Sequence, residues 1–134
     1  MTLRVSLVIP VGEIWTGAAD RVIAKTLDGD VGILTGHAPL IGILAPGSVV
    51  RIQPQEPPPD GGWIEAAIDS GFLSVADNRV SILVHDAILG SDVDKAGVMA
   101  RLESALGAAE SGQDGEQEKA GFLRAQLRAA GEEA

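Results

Sequence analysis

The chain has 134 residues, of which 46% are hydrophobic and 22% are charged, and its formal net charge is −9. A hydrophobic fraction of this size excludes a disordered chain and supports one folded core, with a small appendage at most. The negative charge repels phosphate backbones, and aromatic residues for base stacking amount to only 3%, which excludes nucleic acid as a partner. Cysteine is absent, so disulfides and thiolate metal sites are also excluded.

No secretory or membrane-spanning segment is expected. Residues 1–4 (MTLR) lack the basic region, apolar run and cleavage site of a secretory signal. Between Asp30 and Arg51 the sequence has no charged residue, over a length that could span a bilayer. Glycines and prolines interrupt this segment repeatedly, and we therefore predict core strands and turns there rather than a membrane helix.

From about residue 3 to residue 89 the sequence predicts strands with one buried face. Apolar and polar residues alternate with a period of two, most clearly in residues 3–9 (LRVSLVI) and 79–84 (RVSILV), although Leu83 breaks the polar side. Glycine, proline, asparagine and aspartate separate the apolar runs, at residues 10–12, 28–30, 36–39, 46–48 and 76–78. Short strands at this spacing predict an antiparallel β-sandwich over residues 1–89. The proline-rich segment 53–62 is predicted to be an exposed loop that cannot pair in a sheet.

Residues 90–134 are predicted to form a separate α-helical hairpin, which makes the whole chain a β-rich α+β protein. Residues 91–94 (SDVD) have the form of a capping box, so we expect the first helix to begin there, followed by apolar residues at helical spacing. A break at 111–115 (SGQDG) precedes a second helix over about 116–130. The apolar residues are mostly alanine and both helices contain glycine, so we expect the hairpin to be ordered only when it is docked.

The histidines and acidic residues form no recognised catalytic arrangement. His37 follows Asp28 and Asp30 closely, so one hypothesis is a small ligand-binding or hydrolytic sandwich that uses this loop, with the helices as a lid. Two isolated histidines lack the spacing of metal ligands. Neither a nucleophile elbow nor a phosphate-binding loop occurs in the sequence. The sequence therefore predicts no catalytic residue and no metal site.

Residues 26–41 favour a contact surface over a pocket. Turn residues alternate there with small and apolar ones, which predicts a stiff, protruding turn that another molecule can approach closely. The same pattern also fits an internal hairpin of the sandwich. A further hypothesis is a free-standing adaptor that binds peptides on a sheet edge.

Residues 29–40 (GDVGILTGHAPL) resemble the acidic glycine turn and the Gly-His-Ala-Pro-Leu motif of the epsilon subunits of F-type ATP synthases. The resemblance also includes residues 9–10 (IP), 13–17 (EIWTG), 44–52 (LAPGSVVRI), 71–75 (GFLSV) and 92–94 (DVD). Ser70 stands where the family has the first glycine of a pair. The motifs occur in register over about residues 3–95, whereas the helical hairpin matches the family only in layout.

This resemblance implies a ten-stranded sandwich followed by two helices, in a non-catalytic rotor subunit without a cofactor. In that family the sandwich binds the foot of the gamma shaft and rests on the polar loops of the membrane c-ring. The chain is then implied to lie on the cytoplasmic side of the inner (plasma) membrane and to couple proton transport to ATP synthesis. Asp30 matches the acidic position that faces the c-ring. The segment near shaft and ring is matched by Thr35, Gly36, His37, Ala38, Pro39 and Leu40.

The family's helical tail can extend along the shaft and restrain ATP hydrolysis, which implies contacts with the alpha and beta subunits. Some bacterial members bind ATP through an apolar-Asp-x-x-Arg-Ala motif at the start of the first helix. Val93 and Asp94 match this motif, but Gly97 stands where the arginine is required. Because the guanidinium is the expected phosphate or base contact, weak or no ATP binding is predicted. Arg124 and Arg128 are the expected partners for acidic surfaces of the catalytic head.

Overall fold

The structure, a computed structural model, describes residues 2–56, 62–110 and 116–130, with the side chains of all of these except 105–110 and 116–120. The strands are β1 Leu3–Ile9, β2 Gly12–Thr26, β3 Gly29–Leu34, β4 Leu40–Ile43, β5 Ser48–Pro54, β6 Ile64–Ile68, β7 Gly71–Ala76, β8 Arg79–Val84 and β9 Ala87–Leu89. A 3₁₀ turn, Gly90–Asp92, leads into helices α1 (Lys95–Glu110) and α2 (Glu116–Ala129). The described residues thus form nine strands followed by two helices.

One long strand joins the two layers of the sandwich. The strands pair in the order β4-β7-β8-β1-β2-β5-β6-β9, and β3 also pairs with β2. The first half of β2 pairs with β1, and its second half pairs with β3 and β5. The first layer therefore comprises β4, β7, β8, β1 and the start of β2, and the second comprises β3, the end of β2, β5, β6 and β9. This dual role of β2 explains why there are nine strands rather than the ten that the resemblance implies.

The predicted β-rich α+β class, a sandwich followed by two helices, is confirmed. Among the described strands every pair is antiparallel except β1 with β8, which run parallel. This single parallel pair departs from the purely antiparallel prediction. It arises because β1 enters the sheet between β2 and β8, which lie far apart in the sequence.

A single apolar core fills the space between the layers. In β1, Leu3, Val5 and Leu7 are fully buried and alternate with exposed or half-buried residues. Ile33 of β3 and Ile82 of β8 belong to the same buried cluster. Full burial of such a side chain contributes about 1.5–3 kcal/mol. The predicted alternation therefore does place one face of the strands in a shared core.

The predicted loop over 53–62 begins later than the sequence suggests. Pro54 ends β5 opposite Ala19, and Gln53 pairs with Arg21. A shift of register between Ala19 and Arg21 forms a bulge that accommodates proline, which has no N–H to donate to a ladder. Residues 57–61 lie outside the described residues.

Helix α1 begins directly after the predicted capping box, three residues later than a helix capped by Ser91 would begin. Residues Gly90–Asp92 form the 3₁₀ turn without a side-chain cap, and Val93 is extended. The first helical hydrogen bond runs from the Val98 N–H to the Asp94 carbonyl, at 2.9 Å. The delay has a packing cause, because the turn places Gly90 directly against the end of α2. The predicted break at 111–115 lies outside the described residues.

The helical hairpin is docked on the outer face of the second layer. Ala125 and Ala129 of α2 pack against Ala67 of β6. On the other side of α2, Leu123 and Leu127 pack against Val98 of α1. The expectation that the hairpin is ordered when docked agrees with this arrangement. The alanines bury little area but bring α2 close to the sheet, and Phe122 of α2 packs beside them with Val49 of β5 and Ile88 of β9.

Two glycines, Gly47 of the sandwich and Gly90 of the 3₁₀ turn, allow this close approach. A Cβ atom on Gly47 would lie 2.9 Å from the carbonyl carbon of Gly121, and one on Gly90 would overlap the carbonyl oxygen of Ala129. Arg128 adds one polar contact, donating from Nη2 to the Gly47 carbonyl oxygen at 2.8 Å. Backbone therefore meets backbone at two points along α2.

Substitution Gly90→Ala should displace α2 from the sheet. The added methyl group overlaps backbone that cannot rotate away, so we expect a cost of about 1–3 kcal/mol. Faster amide hydrogen exchange in residues 121–130, with unchanged exchange in β1, is the expected result. Gly121→Ala is the matched control, because a Cβ there meets nothing within 4 Å and alanine favours the helix by about 1 kcal/mol. Equal exchange in the two variants would contradict the packing role of Gly90.

Candidate functional site

The loop between β3 and β4 is held by the turn between β7 and β8. The Gly36 N–H donates to Oδ1 of Asn78 at 2.7 Å, and the carbonyl of Asn78 accepts from the Arg4 N–H at 2.8 Å. Asp77 and Asn78 have φ angles of 51° and 61°, as the two-residue turn of a tight hairpin requires. Asn78 thus ties three segments together, a role that its turn position in the sequence does not reveal.

The predicted contact loop is therefore stiff and has small side chains. Thr35, Gly36, Ala38 and Pro39 are exposed, whereas His37 is half-buried. The His37 N–H donates to the Leu34 carbonyl at 3.1 Å, and its Nδ1 lies 2.6 Å from the carbonyl oxygen of Ala38. Leu40, the first residue of β4, packs against the core. These contacts leave a firm, shallow surface at one end of the sandwich.

Asp30 lies at the opposite end of β3 from this loop. It is exposed on the outer face of the second layer and is paired in register with Lys25. Asp30 and Leu34 are four steps apart along the strand, which separates them by about 13 Å at about 3.3 Å per step. The predicted interface residues therefore form two separate surfaces rather than one.

This separation also removes the arrangement that the hydrolytic hypothesis needs. Asp28 lies in the β2–β3 turn, at the same end of β3 as Asp30, and its N–H donates to Oγ1 of Thr26 at 3.2 Å. His37 therefore does not meet either carboxylate. His85 does lie near one, with its Nδ1 3.6 Å from Oδ2 of Asp69, but its side chain is largely exposed at a strand end. Among the described residues, no group of three or more His, Asp or Glu side chains could hold a metal ion.

The surroundings of Asp30 are basic. A groove of about 480 Å³ is lined by Asp30, Lys25, Arg51 and Arg128, among other residues. Arg51 pairs with Glu65 through Nε and Oε1 at 3.0 Å, and its guanidinium lies 4.9 Å from the centre of the Trp63 ring. The groove thus brings Asp30 and three basic residues to one outer surface of a chain that is acidic overall, and Asp30 itself remains exposed to a partner.

A row of exposed apolar side chains crosses the outer face of the first layer. Val8 of β1, Leu83 of β8, Phe72 of β7 and Ile43 of β4 are successive partners across four strands. Leu83, Phe72 and Ile43 are 37%, 43% and 62% exposed. A shallow depression of about 430 Å³ opens beside this apolar row. Contiguous exposed apolar residues of this kind mark interaction surfaces.

The apolar row lies at the Asp30 end of the molecule. The Leu27 N–H, in the β2–β3 turn, donates to the Ile43 carbonyl at 3.0 Å, and Leu27 itself is 64% exposed. Local sequence patterns do not predict this surface. Its one visible signal was Leu83, which interrupts the polar side of β8.

The ATP-motif positions lie at the start of α1. Val93 packs against the buried cluster of Val98, Leu123 and Leu127. The carboxylate of Asp94 lies where a side chain on Gly97 would begin, because a Cβ there would be 2.5 Å from Oδ2. An arginine at position 97 therefore requires the Asp94 side chain to move.

No helix within the described ranges is long and apolar enough to cross a membrane.

Comparison with known proteins identifies the family. Residues 2–90 match the family described as ATP synthase, Delta/Epsilon chain, beta-sandwich domain. The ATP synthase epsilon chain of Frankia casuarinae is 48% identical over 89 residues, covering 66% of this chain and 99% of that protein. That of Thermobifida fusca is 45% identical over 104 residues, covering 77% of this chain and 74% of that protein.

The fold of the whole chain, helices included, has a counterpart of known structure. It is a chain of the Euglena gracilis mitochondrial ATP synthase, with a TM-score of 0.73 at 19% identity, covering 97% of this chain and 79% of that chain. The match over residues 2–90 and these relatives identify the family, whereas the likeness in structure shows the fold alone. The chain belongs to the ATP synthase epsilon chains, and it is a non-catalytic subunit rather than an enzyme in its own right.

Proposed function

We propose that this chain works in the central stalk, the rotor, of a bacterial F-type ATP synthase and couples proton transport to ATP synthesis. Its sandwich holds the gamma shaft and rests on the c-ring, so that shaft and ring turn as one body. The observation that carries this proposal is the apolar row, which leaves three large side chains exposed in line on the first layer. A passive connector needs such a surface, whereas an enzyme needs a pocket with convergent polar groups.

The apolar row suits a helical partner such as the shaft. Four side chains on neighbouring strands, about 4.8 Å apart, form a line about 14 Å long. That length matches about two and a half turns of an α-helix, at about 5.4 Å per turn. Apolar area removed from water contributes about 25 cal/mol per Å². The row can therefore hold one face of a helix without help from charged groups.

The two surfaces at the ends of β3 account for further contacts. Asp30 and the β2–β3 turn lie at the end that we assign to the polar loops of the c-ring, where the carboxylate pairs with a ring donor and fixes register. The stiff loop of Thr35–Leu40 supplies a second contact, to shaft and ring. Attachment through the ring places the chain at the cytoplasmic face of the inner membrane.

We assign residues 1–89 to the coupling domain and residues 90–134 to a regulatory one. The hairpin rests on the sheet through alanine and glycine, flanked by Phe122, Val49 and Ile88, and this contact must open before the hairpin can extend. In an extended hairpin Arg128 no longer donates to Gly47, and with Arg124 it becomes available to acidic surfaces of the alpha and beta subunits. Such a contact restrains ATP hydrolysis.

Substitution Phe72→Glu should weaken binding to the gamma shaft. Placing a carboxylate at the centre of the apolar row costs about 2 kcal/mol or more, which is about thirtyfold in affinity. Co-purification with gamma, followed by titration, measures the loss. Met99→Glu is the matched control, because Met99 is 48% exposed on α1, against 43% for Phe72. Unchanged affinity in the Phe72 variant would refute the assignment of this surface.

Substitution Asp30→Lys should loosen coupling at the ring. Reversal of an exposed charge that pairs with a ring donor costs about 1 kcal/mol. ATP-driven proton pumping by the reassembled complex should fall while ATP hydrolysis is retained. Glu103→Lys, the same reversal at an exposed site on α1, should leave pumping intact. If the Asp30 variant pumps as well as the unaltered complex, the carboxylate has no role in coupling.

ATP should bind this chain weakly or not at all, because Gly97 provides no guanidinium. Isothermal titration with ATP is expected to show no micromolar binding to the full chain. Gly97→Arg should raise the affinity once the Asp94 carboxylate has moved aside. Micromolar affinity in the unaltered chain would show that the missing arginine is not needed.

A further inference from the structure

One edge of the sandwich is left unpaired. All six residues of β3 pair with β2 in continuous register, and no other strand within residues 2–56, 62–110 and 116–130 pairs with the opposite edge. Exposed edges are commonly protected by charged side chains, proline or a bulge. In the β3 sequence, GDVGIL, the one charged residue is Asp30 near the start, proline is absent, and the ladder has no register shift. Its outer edge is therefore a row of backbone donors and acceptors open to another strand.

Gly32, in the middle of β3, is not required by the chain's own structure. Its φ lies outside the positive range that favours glycine. A Cβ there would meet nothing within 4 Å, so packing does not require glycine either. Glycine weakens a strand interior, and it commonly marks a place where another backbone or ligand comes close. Gly32 is exposed on the outer face between Asp30 and Leu34.

We propose that the free edge of β3 accepts an extended segment of a partner protein as an additional antiparallel strand. Backbone hydrogen bonds provide the affinity, and the side chains of the outer face provide the selectivity. Asp30 favours a basic residue opposite it in the partner strand. The open surface of Gly32 favours an aromatic residue, and Leu34 favours an apolar one. The partner segment therefore has the order apolar-x-aromatic-x-basic.

A second copy of this chain does not meet these requirements. In β3 the even-numbered residues Asp30, Gly32 and Leu34 share the outer face. When two β3 strands pair antiparallel with their outer faces on the same side, an even-numbered residue therefore always lies opposite another even-numbered one. Asp30 then faces Asp30, Gly32 or Leu34 of the other copy, and a cation never lies opposite it. The charge of Asp30 thus favours a different protein over self-association. The proposal does not depend on which molecule covers the apolar row.

The test uses the full chain, labelled with nitrogen-15, and the synthetic peptide acetyl-Leu-Thr-Tyr-Thr-Lys-amide. Peptide binding should shift the amide signals of residues 29–34 and slow their hydrogen exchange, while signals of β7 and β8 stay in place. Gly32→Val fills the open surface and should weaken binding about tenfold, whereas the added β-branched side chain should raise the Tm of the free chain. Weaker peptide binding together with a higher Tm would show that the variant has lost the binding site without losing its fold.

A charge swap supplies the second arm of the test. Asp30→Lys should weaken binding of the lysine peptide about fivefold and strengthen binding of the same peptide ending in glutamate, and Glu103→Lys should change neither. If the Asp30→Lys and Glu103→Lys variants each bound the lysine and glutamate peptides with equal affinity, the proposed register would be overturned. Protection of the outer β3 amides before any peptide is added, or dimerisation through β3, would show that the edge is already occupied and would overturn the proposal.

Discussion

The pairing of one long strand with three neighbours holds this molecule together. Because β2 pairs with β1 in its first half and with β3 and β5 in its second, both layers depend on it. The bulge near Asp20 turns β2 from one layer into the other. The same strand leaves β3 with a single neighbour, and its connection to β3 brings Leu27 beside the apolar row. The shared core, the position of the apolar row and the free edge of β3 therefore all depend on how β2 pairs with its neighbours.

Local patterns were sufficient to predict the class of the fold but not its surfaces. Alternation in residues 3–9 and 79–84 predicts strands because burial of one face acts within each strand. The apolar row depends instead on the register of four strands that are distant in sequence, so only the irregular Leu83 indicated it. Similarly, Asp30 and His37 are close in the sequence yet lie at opposite ends of a strand. The start of α1 depends on contact between Gly90 and α2, which no local pattern contains.

The apolar row lies apart from the other surfaces, on the outer face of the first layer, whereas the hairpin covers part of the outer face of the second. Asp30 belongs both to the surface that we assign to the c-ring and to the outer face beside the β3 edge. A shaft on the apolar row therefore displaces no other partner, whereas the c-ring and a strand bound at β3 compete for Asp30. The histidines and acidic residues that the structure describes form no group of three or more that could hold a metal ion.

The contact between α2 and the sheet has a kinetic consequence. At Gly47 and Gly90 main chain lies against main chain, and Phe122 of α2 packs in the same contact beside Val49 and Ile88 of the sheet. Because both backbone contacts and the Phe122 ring must separate together, we expect α2 to leave and rejoin the sheet in one step.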